Sequence, residues 1–420
     1  MALTRPDDAG TGGDAAADPG TPTAGADLEA IRNLLRTAPL VDGHNDLLWE
    51  LRRRVYYDFD ALDVAVRQPT LQTDLPRLRA GGVGAQFWSV YVPSDLPADV
   101  ALTATIEQID AYYALLARYP ADLAPATTAA DVERAVKEGR IASLVGIEGG
   151  HSINCSLGVL RMLHALGARA MTLTHNDSLP WADAAVDAPR CGGLGAFGVE
   201  VVREMNRLGM LVDLSHVAET TMRAALATTQ APLVFTHSNA KALCDHPRNV
   251  PDDVLAALGG NGGVCMVTFV PGFLRQEIGD VWLAGDTLEK ELWARLPDAP
   301  AEVNARLEAW KCEHPVPKAT LADVADHVEH VREVSGVEHV GIGGDFDGVY
   351  VLPEGLADGV SSYPALFAEL RRRGWSDDHL RLLAGRNVMR VLADAQVVAR
   401  REQATRPPSR ARLSDYPDIP

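Results

Sequence analysis

Cysteine is scarce in this chain. Five residues of 420, Cys155, Cys191, Cys244, Cys265 and Cys312, stand singly. None forms a CxxC pair, which argues against a thiolate zinc site or a disulfide framework. The odd, scattered count points to a reducing, cytoplasmic compartment. Basic charge is also short: 39 Lys and Arg against 57 Asp and Glu leave a formal net charge of −18. That sign is wrong for a nucleic-acid partner, but it suits a site that gathers carboxylates around cations. No stretch approaches the ~18 apolar residues of a membrane span. Residues 1–26 lack the apolar centre of a signal peptide. The C-terminal RREQATRPPSRARLSDYPDIP is too polar for a lipid-anchor tail, so no membrane anchor is expected. Hydrophobic residues at 47% and charged residues at 23% are ordinary globular values and exclude wholesale disorder.

Residues 1–27, rich in Gly, Asp and Ala, read as a disordered leader. Residues 28–395 read as one domain and 396–420 as a polar tail. Within the domain, short β-branched apolar runs alternate with amphipathic helical stretches. Eight runs stand out, at 39–44, 83–92, 141–149, 168–175, 209–216, 232–238, 263–270 and 339–348. Strand, helix, strand at this spacing predicts parallel pairing with right-handed crossovers. Eight such units predict an α/β fold of the closed (β/α)₈ TIM-barrel type. The connection at 271–319, after the seventh run, is too long for a plain loop. It carries three Trp-bearing segments, which predicts a lid or a dimer surface.

The ends of the runs carry the chemistry. The first ends in His44-Asn45-Asp46, the third in Glu148, the fourth in His175, the fifth in His216, the sixth in His237 and the eighth in Asp345. In a barrel of this type these positions converge on the C-terminal face, where catalysis is located. His44 and Asp46, two apart on a strand, point the same way and can offer an imidazole and a carboxylate to one cation. Either residue alone reads more readily as structural. Together with Glu148, His216 and His237 they read as a divalent-metal site without thiolates, suited to Zn²⁺. Glu148, between glycines in GIEGG, has two oxygens and can bridge two cations. His175 reads either as a ligand or as a group polarising a substrate carbonyl. Of the two acids in GGDFDG, Asp345 comes first after the apolar run and Asp347 reads as shaping the turn. Arg248, on the loop after the sixth run, reads in isolation as a solvated charge.

These motifs, in this order, resemble the renal (membrane) dipeptidase family of the amidohydrolase superfamily. The matching stretches are VDGHNDLLWELR, GGVGAQFWSVYVP, GIEGGHSI, ARAMTLTHNDSLPWADA, LVDLSHVAETTM, FTHSNAKALCDHPRNVPD, HVGIGGDFDGV and AGRNVMRVL, spanning about residues 39–391. The resemblance implies a bacterial-type metallo-dipeptidase with two divalent ions, Zn²⁺ first among the candidates, and a metal-bridging hydroxide as nucleophile. His44 and Asp46 would hold one ion, His216 and His237 the other, and Glu148 would bridge them. Asp345 would be the acid/base residue, and His175 and Arg248 would bind substrate, with Tyr91 beside them. The implied substrates are dipeptides, including those with a D-residue at the C-terminus. One departure is Gly385-Arg386-Asn387, where the family usually has Gly-Gly-Asn; nothing in the sequence explains it.

Three other readings compete. Lactonase and phosphotriesterase types bridge their metals with a carboxylated lysine on the fourth strand, but no Lys occurs from Ile141 to Asn239. A mononuclear deaminase would start with HxH rather than HxD. A catalytically silent barrel would not need the full residue set.

Overall fold

The computed structural model describes residues 24–416. Nine strands form among the described residues: β1 Leu40–Asn45, β2 Val83–Tyr91, β3 Leu123–Pro125, β4 Ile141–Glu148, β5 Ala168–Thr172, β6 Leu211–Asp213, β7 Val234–Phe235, β8 Val264–Val267 and β9 Val340–Ile342. All named pairings are parallel, in the order β2-β1-β9-β8-β7-β6-β5-β4-β3. A further ladder from β2 to β4, Ala85↔Ala142 through Tyr91↔Glu148, closes eight of them into a barrel. The eight runs of the sequence become these eight barrel strands. β1 is buried throughout and β4 nearly so. Burial on both faces is why such strands read as continuous apolar runs rather than alternating ones.

Strand β3 escaped the sequence reading because it is only LAP. It pairs with the first residues of β4, Ile141–Ser143, on the side where β5 joins only from Val145 onward. It therefore fills the lower gap between two diverging strands. Inside the barrel the backbone and side chains approach closely. A Cβ on Gly43 would lie 2.5 Å from Met266 Sδ.

The flanking segments differ from the expected boundaries. A helix starts at Ala24, inside the stretch assigned to the leader, and residues 1–23 lie outside the described part. The last long helix, Asn387–Thr405, runs past residue 395. Beyond it, Ser409 bonds to Arg161 and Glu204, and Leu413 and Tyr416 pack on the core. The 396–420 segment, as far as residue 416, is thus built onto the barrel by buried partners that a polar composition does not disclose. Arg386 ends a π-helical turn, Leu382–Arg386, and is exposed at the end of the barrel opposite the polar strand ends. Its extra side chain relative to glycine meets solvent rather than the core.

The 271–319 connection contains three helices, Pro271–Leu274, Gln276–Arg295 and Pro300–Glu313. The last two pair through their own small core of Leu292, Val303 and Leu307.

Candidate active site

The strand ladders stop short of several residues that matter. His175 and His216 each follow the last paired residue of their strand by three positions, as does Asp345, and His237 follows by two. The expected runs were longer because apolar composition continues where hydrogen bonding has ended. At these points the chain turns. His216, Asp345 and Asp347 have φ of 69°, 59° and 66°, in the left-handed region that costs most residues of order 1 kcal/mol or more. Local ties hold the turns. Asp345 N–H donates to His44 O at 3.2 Å, and Asp46 N–H to Phe346 O at 2.9 Å. Asp347 Oδ1 accepts from the Gln72 N–H at 2.7 Å, while its own N–H donates to Gln72 Oε1 at 2.9 Å. Asp347 therefore does shape the turn, and burial pushes its carboxyl up to about 7. Gly348 closes the loop where any Cβ would run into the Asp345 and Asp46 carboxylates.

Barrel closure brings the polar ends together. Three groups each place ligand-type atoms within 4.8 Å of one another: His44, Glu148 and His237; Glu148, His175 and His216; and His44, Asp46 and Asp345. Glu148 is the shared member. Its Oε1 lies 3.1 Å from His216 Nε2, 3.6 Å from His237 Nε2 and 3.7 Å from His175 Nε2. Its Oε2 lies 3.4 Å from His44 Nε2 and accepts from Ser89 Oγ at 2.8 Å. His44 Nε2 is also 3.3 Å from Asp46 Oδ2 and 4.0 Å from Asp345 Oδ1.

The two remaining imidazoles meet head on, with His216 Nε2 and His237 Nε2 2.9 Å apart. Their other nitrogens decide what lies between them. His216 Nδ1 faces Asn176 Oδ1 at 3.1 Å, which requires a proton on Nδ1. His237 Nδ1 faces Thr236 Oγ1 at 2.9 Å, and that hydroxyl donates to Asp213 Oδ2 at 2.6 Å, so Nδ1 again carries the proton. Both Nε2 atoms are thus left with lone pairs directed at one small space.

Electrostatics follow from burial. Burial, reinforced by Arg248 and His175, holds His216 well below the ordinary imidazole value; burial, His44 and Arg248 do the same for His237. Burial takes His175 down to about 4. Burial also opposes charge on His44, but the Glu148 and Asp46 carboxylates outweigh it and raise its pKa well above normal. Three carboxylates around one buried nitrogen demand positive charge there. Burial pushes Asp345 well above the carboxylate range against the pull of His44, and Asp46 and Glu148 add to the rise.

A cavity of about 460 Å³ opens over this centre. Asp46, Tyr91, Glu148, His175, His216, Arg248 and Asp345 all line it. Arg248 is not the solvated loop charge that it resembles in isolation. It is 3% exposed and its guanidinium stacks over Phe273 at 5.1 Å and makes only long bonds, to Ser238 Oγ at 3.5 Å and His237 O at 3.4 Å. Its Nε has no acceptor among the described residues. Tyr91 packs against His175, ring centroids 4.8 Å apart, and edge-on to Trp49 at 5.0 Å. The 271–319 insertion contributes Trp282 and Leu283 to the cavity wall.

The sequence reading missed the residues that hold the site residues in place. Asp213, buried, accepts from Thr172, Thr236 and the Ser215 N–H. Asp42 accepts from the Gly344 N–H and Tyr363 OH. Ser89 and Asn176 orient Glu148 and His216. Their signal was weak but present: Asp42, Ser89 and Asp213 are single polar residues inside apolar runs, and Asn176 follows directly on His175.

A closed barrel with His and carboxylate side chains gathered at its strand ends is the frame of a metal-dependent hydrolase, and this chain is one. It belongs to the membrane dipeptidase family, peptidase family M19, whose model matches residues 28–406, and it is a metallo-dipeptidase. Dipeptidase verJ of Clonostachys rogersoniana is 40% identical over 390 residues, covering 90% of this chain and 89% of that protein. Among solved structures, PvdM of Pseudomonas aeruginosa shares the fold with a TM-score of 0.76 at 23% identity, over 89% of this chain and 99% of that one. A metallopeptidase of Rhodobacter sphaeroides, solved with a phosphinate mimic of the dipeptide L-Ala-D-Ala, matches at TM-score 0.70 and 26% identity, over 85% of this chain and 99% of that one.

Proposed function

We propose that the enzyme hydrolyses dipeptides, those with a C-terminal D-residue included, at a centre built for two divalent cations, Zn²⁺ first among them. His44 and Asp46 would hold one, His216 and His237 the other, with Glu148 common to both. The observation that carries this reading is the pair of facing Nε2 lone pairs at 2.9 Å. Two lone pairs at that distance repel unless positive charge sits between them, and burial disfavours a proton there. The three carboxylates around His44 Nε2 make the same demand on the other side.

Cations bound there would supply a water that deprotonates near neutral pH and a Lewis acid for the scissile carbonyl. The chain's own residues do the rest. Asp345, whose surroundings raise its affinity for a proton, takes the proton of the attacking water at its carboxylate and returns it to the leaving amine. His175, neutral and beside Glu148, donates from its ring N–H to the developing oxyanion. Arg248 offers a planar fork with unused donors to the substrate's C-terminal carboxylate. A carboxylate one residue from the cleaved bond is what distinguishes a dipeptide from a polypeptide. Acceptance of a D-residue is supported by the L-Ala-D-Ala mimic held by the Rhodobacter sphaeroides metallopeptidase. A reducing, cytoplasmic setting is supported by five unpaired cysteines.

The test is a screen of L-Xaa-D-Yaa and L-Xaa-L-Yaa dipeptides with and without chelator, alongside metal analysis of the reconstituted protein. Two equivalents of metal and chelator-sensitive turnover of both series are expected. Full activity at one equivalent would remove the binuclear reading, and turnover of L,L substrates alone would remove the D-residue.

A further inference from the structure

Beyond the polar centre and Arg248, one part of the cavity wall has a distinct chemistry. The helix Gln276–Arg295 presents Trp282, Leu283 and Asp286 on one face, a helical turn apart, and all three line the cavity. Trp282 packs over Gly272, where a Cβ would come within 2.6 Å of its ring. The next residue, Phe273, carries the Arg248 guanidinium. This wall therefore stands at the end of the cavity where the substrate's carboxylate is gripped, beside the side chain of the C-terminal residue.

The wall is apolar apart from Asp286. The cavity's other carboxylates are committed. Glu50 receives hydrogen bonds from Arg53 and Arg54, Asp347 from Gln72, and Asp46, Glu148 and Asp345 belong to the centre. Asp286 has no hydrogen-bond or ion-pair partner among the described residues. It stands exposed at the cavity rim, where packing against the wall and the neighbouring Glu289 raise its pKa above the ordinary carboxylate value against the pull of Lys290.

We infer that Asp286 selects the side chain of the dipeptide's C-terminal residue, favouring a long aliphatic stem that ends in a cation, as in lysine or arginine, over neutral or acidic side chains. The stem lies along Trp282 and Leu283 while the cation reaches Asp286. The inference rests on the reading of Arg248 as the carboxylate grip.

The experiment measures kcat/KM for L-Ala-Lys, L-Ala-norleucine and L-Ala-Glu, with each enantiomer of the second residue, on the metal-loaded full chain. In the wild type, lysine should exceed norleucine by roughly 3–10-fold, the scale of a partly solvated ion pair, and the advantage should shrink as salt is raised. Asp286→Asn should bring the Lys-to-norleucine ratio close to one, and Asp286→Lys should turn the preference toward Glu. An unchanged ratio in Asp286→Asn overturns the inference. So does an Asp286-dependent preference for lysine at the first position instead of the second. If the wild type cleaves none of these dipeptides, the reading of the whole site fails. A failure confined to the ratio leaves that reading standing and removes this inference alone.

Discussion

At the residue scale, Asp345 and Arg248 are the two side chains whose roles separate most cleanly by substitution. Asp345 sits 4.0 Å from His44 Nε2 with a raised pKa, and Asp345→Asn keeps its shape while removing the proposed base. Turnover should fall by roughly 10²–10⁴-fold, the usual scale for a positioned acid/base group, while elemental analysis finds the metal content retained. Near-normal turnover would move the proton transfer to solvent. Arg248 is buried with a stacked, underused guanidinium. Arg248→Met should abolish most dipeptide activity and narrow the difference in kcat/KM between a dipeptide and its C-terminal amide. Arg248→Lys should restore only part, since an ammonium lacks the planar fork. An acid-to-amide preference that survives Arg248→Met would assign carboxylate recognition elsewhere, with Tyr91 the next residue to substitute.

At the element scale, the helix Leu321–Ser335 ties the site loops together through one histidine. It starts with a capping box between Thr320 and Asp323, which satisfies donors that a helix start leaves open. Along it, His327, 1% exposed, accepts from the Ala240 N–H at Nδ1 and donates to Leu274 O from Nε2, both at 3.1 Å. It thereby fastens the loop after β7 to the base of the insertion. Burial lowers its pKa to about 4, so the folded state holds it neutral. Its contribution is complete above the unfolded value of about 6.5 and is lost as pH falls through the window from there to about 4. By linkage, folding stability should drop by about 2 kcal/mol between pH 7 and pH 5 on account of this residue. His327→Gln carries no proton in that range. Urea unfolding at the two pH values should therefore show a smaller decrease in the variant than in the wild type. Equal decreases would mean that His327 is already accessible to protonation in the folded state.

At the scale of the whole molecule, the ligand-type residues come from six separate stretches of chain, so cations bound among them would cross-link the barrel mouth. Binding to the folded state alone stabilises it by mass action. Metal removal should lower Tm by several degrees or more, with activity and Tm both recovering on adding back Zn²⁺. In Glu148→Gln, which retains the shape of the shared carboxylate but weakens its proposed hold on two cations, the metal-dependent gain in Tm should be smaller than in the wild type. A Tm indifferent to chelator in the wild type would place the ions, if any, outside this cluster.

Much of this protein was determined by its sequence alone. Eight apolar runs alternating with amphipathic helices specify a parallel barrel, because strands buried on both faces need that composition and that spacing. His44, Asp46, Glu148, His175, His216, His237 and Asp345 stand at or just past the strand ends, which is legible from order along the chain. Which atoms meet was decided only by the tertiary structure. His44 and Asp345 approach because β1 pairs with β9 as the barrel closes. The facing nitrogens of His216 and His237 depend on protons fixed by Asn176 and Thr236, and the cavity wall on a helix from an insertion whose place along the chain did not reveal its docking. Arg248 shows the difference most plainly. In the sequence it is a charge on a loop beside Asp, Pro and Asn, with every reason to be solvated. In the fold Phe273 and the ends of β7 cover it, and burial leaves its donors directed at the substrate cavity. Periodicity records which faces of a chain are buried, whereas convergence of side chains from distant segments depends on closure, which no local pattern encodes.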